Sequence, residues 1–232
     1  VLTAEDSFPL QQFFFIPWLW KYFAQHRREA PTSRSLRAGL YRVYFFCTFD
    51  IAFHLVLLTL ARLFRSRSLV RFFYRVVMPL TVIRGWRVID RSSDQLTMEH
   101  ELFRHIEIEV FVAKSKLRES LTFVEELLRL AGGQEDAISP AMRERLESHG
   151  LVETVEPLQG SYTHHYPICV RRVLPDDTLI SMASGGDESH YAISFISYAR
   201  PDERETYFAF AEVLCHTMAA LFDARPHWGK VC

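Results

Sequence analysis

The sequence predicts an α+β fold: an antiparallel sheet covered by helices, joined to a largely helical N-terminal region. Three observations carry this. Residues 105–112 alternate, with Ile106, Ile108, Val110 and Val112 set against Glu107, Glu109 and Phe111, the period of a strand with one apolar face. Helical segments cluster between groups of strands instead of following each strand, which favours an antiparallel layer over a doubly wound sheet. Residues 34–83 hold long apolar runs punctuated by arginine, without that alternation. The 232 residues are 49% hydrophobic and 14% aromatic, with 19 Phe, which is enough apolar material for a packed core and excludes a disordered chain.

In chain order, Phe8–Trp18 carries Pro9 and Pro17 and reads as an extended or turn-rich opening. Residues 18–28 read as a short amphipathic helix broken by Pro31-Thr32-Ser33. An almost continuous apolar run follows from Tyr41 to Phe64, interrupted by Arg42, Asp50, His54 and Arg62. It has the roughly 20 residues a membrane span needs. Asp50 and His54, four apart on one helix face near its centre, count against a span. The run reads as a helix buried in its own domain, with interfacial attachment through an Arg- and Phe-rich surface as the alternative. A second helix over 68–83 mixes Arg71 and Arg75, after Arg67, with Phe72, Phe73, Val76 and Val77.

The pattern changes near residue 86. Trp86–Asp90 and Leu102–Val112 read as strands. Ser115 opens a helix with Leu117, Leu121, Val124, Leu127 and Leu128 on one side, closed by Gly132-Gly133. Ser139-Pro140 is an N-cap followed by proline at the first helical position, opening a helix to about His149. Strands follow over Tyr166–Leu174, Leu179–Ala183 and Tyr191–Tyr198. A last helix over 202–222 places Phe208, Ala211, Leu214, Cys215, Met218, Leu221 and Phe222 on its buried stripe. The division expected is a mainly helical region over 1–85 and an antiparallel α+β domain over 86–232.

A net charge of −1 hides an asymmetry: residues 21–91 are rich in Arg and 94–160 in Glu. The basic part reads as a solvated helix face, or as a surface for an acidic membrane or a partner domain. No nucleic-acid motif accompanies it. Cys47, Cys169, Cys215 and Cys232 have no paired spacing, which argues against a disulfide framework or a zinc site and for a reducing, cytoplasmic location. The chain opens on Val1 without a signal-peptide pattern and reads as an internal piece of a longer protein.

The segment with the clearest ligand chemistry is Arg225-Pro-His-Trp-Gly-Lys230. His227 and Trp228 offer π-faces, Lys230 a point charge, and Gly229 close backbone approach, a combination suited to a flat charged ligand. Cys169 and Arg171 share one strand face and Arg172 takes the other. Glu107 and Glu109 lie together on one face, which water tolerates but which needs a partner if covered. Adjacent His164 and His165 point apart on an extended chain and are not expected to ligate a metal. Ser181 and Ser197 lack a His/Asp arrangement for nucleophilic hydrolysis. Gly185-Gly186 reads as a turn, not a phosphate cradle.

Taken in order, Tyr166-Pro-Ile-Cys-Val-Arg171, Asp176-Asp177, Leu179-Ile-Ser181, the 191–198 strand, the long helix and Arg225-Pro-His-Trp-Gly-Lys230 resemble the C-terminal substrate domain of the aldonolactone and alditol oxidases. These belong to the FAD-linked, vanillyl-alcohol-oxidase-like flavoproteins. The resemblance covers 86–230 and, more weakly, 1–20; residues 30–85 look like a helical insertion. It implies an FAD-dependent oxidoreductase that oxidises a hydroxyl carbon of a sugar lactone, polyol or related alcohol by hydride transfer to flavin. It also implies a separate N-terminal domain, absent from this chain, that binds most of the FAD, so that the chain alone is not catalytically competent. By the same resemblance Lys230 lies near flavin and substrate, His227 and Trp228 shape the same wall, and Arg171 contacts substrate oxygens, with Cys169, Glu109 and Ser181 beside it. Cys169 stands where the family has Glu, and a thiol does not replace a carboxylate as an acceptor for a polyol. An inert, partly buried thiol is the expectation there, and Glu107 or Glu109 the alternative source of charge. The competing reading is a non-catalytic membrane-attachment or partner-docking module built on the Arg- and Phe-rich helices.

Overall fold

The computed structural model describes residues 4, 7–30, 33–60, 66–96, 105–134, 137–198 and 201–230. Leu102–Arg104 of one expected strand, residues 61–64 of the apolar run, and Cys232 lie outside them. In chain order the elements are β1 (Leu10–Ile16), β2 (Lys21–Arg27), α1 (Arg37–Leu58), α2 (67–81), α3 (Ser92–Leu96), β3 (His105–Ala113), α4 (Leu117–Ala131), α5 (Pro140–Ser148), α6 (Val152–Val155), β4 (Ile168–Val173), β5 (His190–Tyr198), α7 (Pro201–Phe222) and β6 (Arg225–Pro226). They form two units, Val1–His26 with His105–Cys232, and Arg27–Arg104. The first two strands therefore join the C-terminal sheet, and the helical unit is the stretch between them and β3.

In the first unit six strands form one sheet in the order β2-β1-β4-β5-β3-β6. The pairs β1/β4, β4/β5, β5/β3 and β3/β6 are antiparallel, so the α+β expectation holds. One face of the sheet is core: Phe13, Phe15, Ile108, Val110, Val112, Ile168, Val170, Ile193 and Phe195 are all buried there with the apolar faces of α4 and α7. Phe123 of α4 meets Phe222 of α7 at 5.7 Å, and Phe210 of α7 stacks on Tyr162 at 4.8 Å. On α7 the buried side is set by Tyr207 and Phe210, while Phe208, expected inside, is 37% exposed. The apolar stripe of this helix is one position out of the phase first assigned to it at that end.

Helix ends follow local chemistry. Ser139 caps α5 by accepting from the Met142 N–H, with Pro140 at the first turn. Ser139→Ala is expected to cost about 1 kcal/mol, read from urea unfolding. At the end of α7, Asp223 takes a left-handed φ of 52° and the Ala224 N–H returns to the Met218 carbonyl. The chain thereby leaves the helix directed at β3, where β6 pairs Val110 with Pro226 and Phe111 with Arg225.

Three local expectations are corrected. Residues 18–28 are not a helix: a turn leads into β2, because aromatic pairs with β1 hold it extended. Tyr22 packs against Phe13 and Phe15 at 5.6 and 5.1 Å, and Phe23 against Phe14 at 6.4 Å. Trp18 and Trp20 adopt φ of 66° and 55° in that turn, and the Trp18 indole, 1% exposed, donates to the His164 carbonyl at 2.8 Å. Residues 86–90 are irregular instead of a strand, since Ile89 exchanges hydrogen bonds with Ser35 and Asp90 pairs with Arg34 and Arg42. Residues 179–183 are turns within a loop, organised by Asp176, which accepts from Thr178 and Ser181.

The second unit is built on α1 and α2, each with a stretch of π-type turns (Phe46–Phe53 and Phe73–Val77). Its interior is aromatic: Phe53 lies 5.3 Å from Phe73 and 6.0 Å from Tyr74. The expectation that the 41–64 run is a buried helix is overturned. Over the most apolar window of α1 only 11% of residues are buried, with Ala38, Phe53 and Leu57 turned inward along the helix. An apolar run reports that a segment avoids water, not what it packs against.

Candidate active site

The sheet face opposite the core carries the polar residues that strand period two selects. Glu109 on β3, Ser194 on β5 and Cys169 on β4 are successive partners across three strands, with Phe14 of β1 beyond Cys169. In the neighbouring row Arg171 lies between Gln12 and Ala192. Glu107 is two residues from Glu109 on the same side of β3.

Glu109 is buried, 3% exposed. Its Oε1 accepts from Arg171 Nη2 at 2.5 Å and from Ser194 Oγ at 2.7 Å. Arg171 is half exposed. Burial works against its charge, but the adjacent Glu109 carboxylate and its hydrogen bond outweigh this and raise the guanidinium's pKa. The sheet thus holds an ion pair whose acid is enclosed and whose base is open to a ligand.

Cys169 accepts from Gln12 Nε2 at 3.1 Å. Burial pushes its thiol pKa up, outweighing the opposing effects of the Arg171 charge and the Gln12 hydrogen bond, with the Glu109 and Glu107 charges adding least. A raised thiol pKa disfavours the nucleophilic thiolate at Cys169. The carboxylate paired with Arg171 comes from across β5, from Glu109 on β3. Ser194 and Gln12 were not singled out in the sequence, although Ser194 sits in the polar phase of β5 between Ile193 and Phe195.

The C-terminal segment is tied to the same strand. The His227 N–H donates to the Glu109 carbonyl at 2.8 Å, and the His227 ring lies 6.0 Å from Phe111. The Lys230 N–H returns to the His227 carbonyl, and Lys230 Nζ pairs with Glu107 Oε2 at 2.6 Å. A Cβ at Gly229 would meet the His227 ring at 3.2 Å, so the turn is tight around that imidazole. Trp228 is 72% exposed. Glu107 and Glu109 therefore each hold one cation, Lys230 and Arg171, along a single strand. Ser181 lies in the loop after β4, and Arg225 fastens that loop beside β6 through the Met182 and Ser184 carbonyls at 3.3 and 2.6 Å. Among the described residues no group of three His, Cys, Asp or Glu is arranged to hold a metal ion.

The family profile of D-arabinono-1,4-lactone oxidase matches residues 24–231. The chain belongs to that family. It is also 53% identical, over its whole length, to a protein from an uncultured marine euryarchaeote named long-chain alcohol oxidase. The chain spans 48% of that relative. The family match includes the strands bearing Glu107, Glu109, Cys169, Arg171 and Ser194 and the turn bearing Lys230.

Proposed function

We propose that this chain forms the substrate-binding part of an FAD-dependent oxidoreductase that oxidises the hydroxyl carbon of an alcohol. The observation that carries the reading is the paired arrangement on β3. Glu109 is locked by Arg171 and Ser194, and Glu107 is locked by Lys230, on a sheet face that also carries an open guanidinium.

The residues fit a flavin. An isoalloxazine is flat and becomes anionic when reduced, and the tail offers an exposed indole, a tight glycine turn and a lysine. The bound FAD would supply the hydride acceptor. Lys230 would place a cation beside the reduced ring, with Glu107 fixing its position until the cofactor is present. Arg171 would donate to the substrate oxygen, and Glu109 would hold the guanidinium's orientation from beneath. The exposure of Arg171 and the burial of Glu109 divide these roles, since only the former is open to a ligand.

Substrate choice follows from position 169. A polyol needs several acceptors, and this face offers a protonated thiol with Phe14 next to it. A single hydroxyl on an apolar chain suits it better than a sugar lactone, in line with the name of the euryarchaeal relative.

The test is the visible spectrum of the longest natural polypeptide containing this segment. Flavin bands that bleach anaerobically with a long-chain primary alcohol are the expected result. A protein that stays colourless after FAD addition, or flavin that no alcohol or lactone reduces, would sink the reading. Lys230→Met should slow anaerobic flavin reduction by about 10²-fold. An unchanged rate would remove the lysine from this role while leaving the flavin spectrum to stand on its own.

A further inference from the structure

The unit 27–104 leaves two rows of large apolar side chains facing outward. On α2 and its continuation, Leu69, Phe72, Val76, Leu80 and Ile83 are 40 to 83% exposed and follow one another at steps of three and four residues. On α1, Leu40, Val43 and Phe46 are 49 to 63% exposed at the same kind of spacing. These rows are not a failure of the unit to close. Tyr44 Oη donates to the Thr81 carbonyl at 2.8 Å and accepts from the Ile83 N–H at 3.1 Å, and Trp86 stacks on Tyr44 at 5.7 Å. The hairpin is closed on its aromatic side and presents aliphatic and Phe side chains on the other.

The same unit carries a net positive charge. Residues 27–104 contain fourteen Arg and no Lys against six carboxylates, while the rest of the chain has thirteen basic and twenty-two acidic residues. Asp90 and Asp94 are already engaged by Arg34 and Arg42. Arg67, Arg71 and Arg75 recur every fourth residue of α2, out of phase with the exposed apolar row. Burial, with the charges of Arg75 and Arg67 adding to it, lowers the pKa of Arg71.

We propose that α1 and α2 dock this unit onto an anionic lipid bilayer, with the exposed apolar row in the acyl boundary and the arginines among headgroup phosphates. An apolar row on one side of a helix and arginines on the other is the pattern of a helix lying in the interface. Spanning is disfavoured: α2 at about 1.5 Å per residue is shorter than the ~30 Å hydrocarbon layer, and α1 carries Arg42, Asp50 and His54 within its 22 residues. A second copy of the chain is disfavoured because two such units would repel. An anionic membrane answers the charge and the apolar rows together. The inference is independent of the oxidase reading.

The test uses the full-length protein and sedimentation with two vesicle preparations, phosphatidylcholine alone and an equal mixture with phosphatidylglycerol. Binding to the mixed vesicles at least about tenfold stronger than to the neutral ones, weakened by salt raised to about 0.5 M, is expected. The combined variant Leu69→Glu, Phe72→Glu, Leu80→Glu should lose binding while its circular dichroism is unchanged. The vesicle and salt comparison needs no variant, so a misfolded variant does not blunt the test. Protein that stays in the supernatant with both preparations would overturn the proposal. So would a dimer by light scattering that ignores vesicles, or a folded variant that binds as well as wild type.

Discussion

Arg171→Ala is expected to lower kcat/KM by about 10³-fold and to destabilise the fold by about 1–3 kcal/mol. The activity loss follows if the guanidinium, held in place by Glu109, is the donor to the substrate oxygen. The stability loss comes from the carboxylate left behind. Glu109 is 3% exposed, and without Arg171 its buried charge is left with the Ser194 hydroxyl as a donor. The figure is set below that for a fully enclosed pair because Arg171 is half exposed and water enters the space it vacates. Adding Glu109→Gln should restore much of the stability and none of the activity. Urea unfolding with steady-state kinetics on the same samples reads both. An Arg171→Ala protein as stable as wild type would show that the pair is not enclosed as described.

The second large effect is acid sensitivity from His164. This imidazole is fully buried, with Nδ1 2.8 Å from the Tyr162 hydroxyl and its ring 5.8 Å from Phe195. Burial, with the neighbouring His165 adding to it, lowers its pKa from 6.5 to about 3, against a smaller opposing contribution from the Tyr166 backbone. Its folded pKa is depressed, so the unfolded chain takes up the proton first. The contribution to stability is fully present above about pH 6.5 and is lost as pH falls towards 3, at up to about 1.4 kcal/mol per pH unit. Removing the imidazole removes the slope. Between pH 7.5 and pH 4.5 His164→Phe should lose less stability than wild type does, after a pH-independent loss of about 1 kcal/mol from the missing Tyr162–His164 hydrogen bond. Parallel pH–stability curves for the two proteins would refute the assignment.

Much of this architecture is legible in the residues. The alternation through Glu107 and Glu109 placed a strand correctly to within a few residues and put both carboxylates on one face. Gly132-Gly133 and Ser139-Pro140 marked helix boundaries for reasons of backbone conformation and capping, both local. Cys169 and Arg171 were assigned one face and Arg172 the other, and Arg172 does turn away, to the Ser189 hydroxyl. Where the sequence misled, a long-range partner overrode a local preference. Tyr22 and Phe23 are held in a strand by Phe13, Phe14 and Phe15, and Trp86–Asp90 is held irregular by Ser35, Arg34 and Arg42.

The sequence by itself determined the period of β3, the end of α4 and the start of α5, and the division of charge between the two parts of the chain. These depend on neighbours a few residues away or on composition. Only the tertiary structure decided that Glu109, 62 residues before Arg171, is its counter-ion, that Ser194 completes the pair, and that Lys230 closes on Glu107. It also decided that the apolar run in α1 faces outward. Strand order and helix docking bring these groups together, and no local pattern encodes which distant face a side chain will meet.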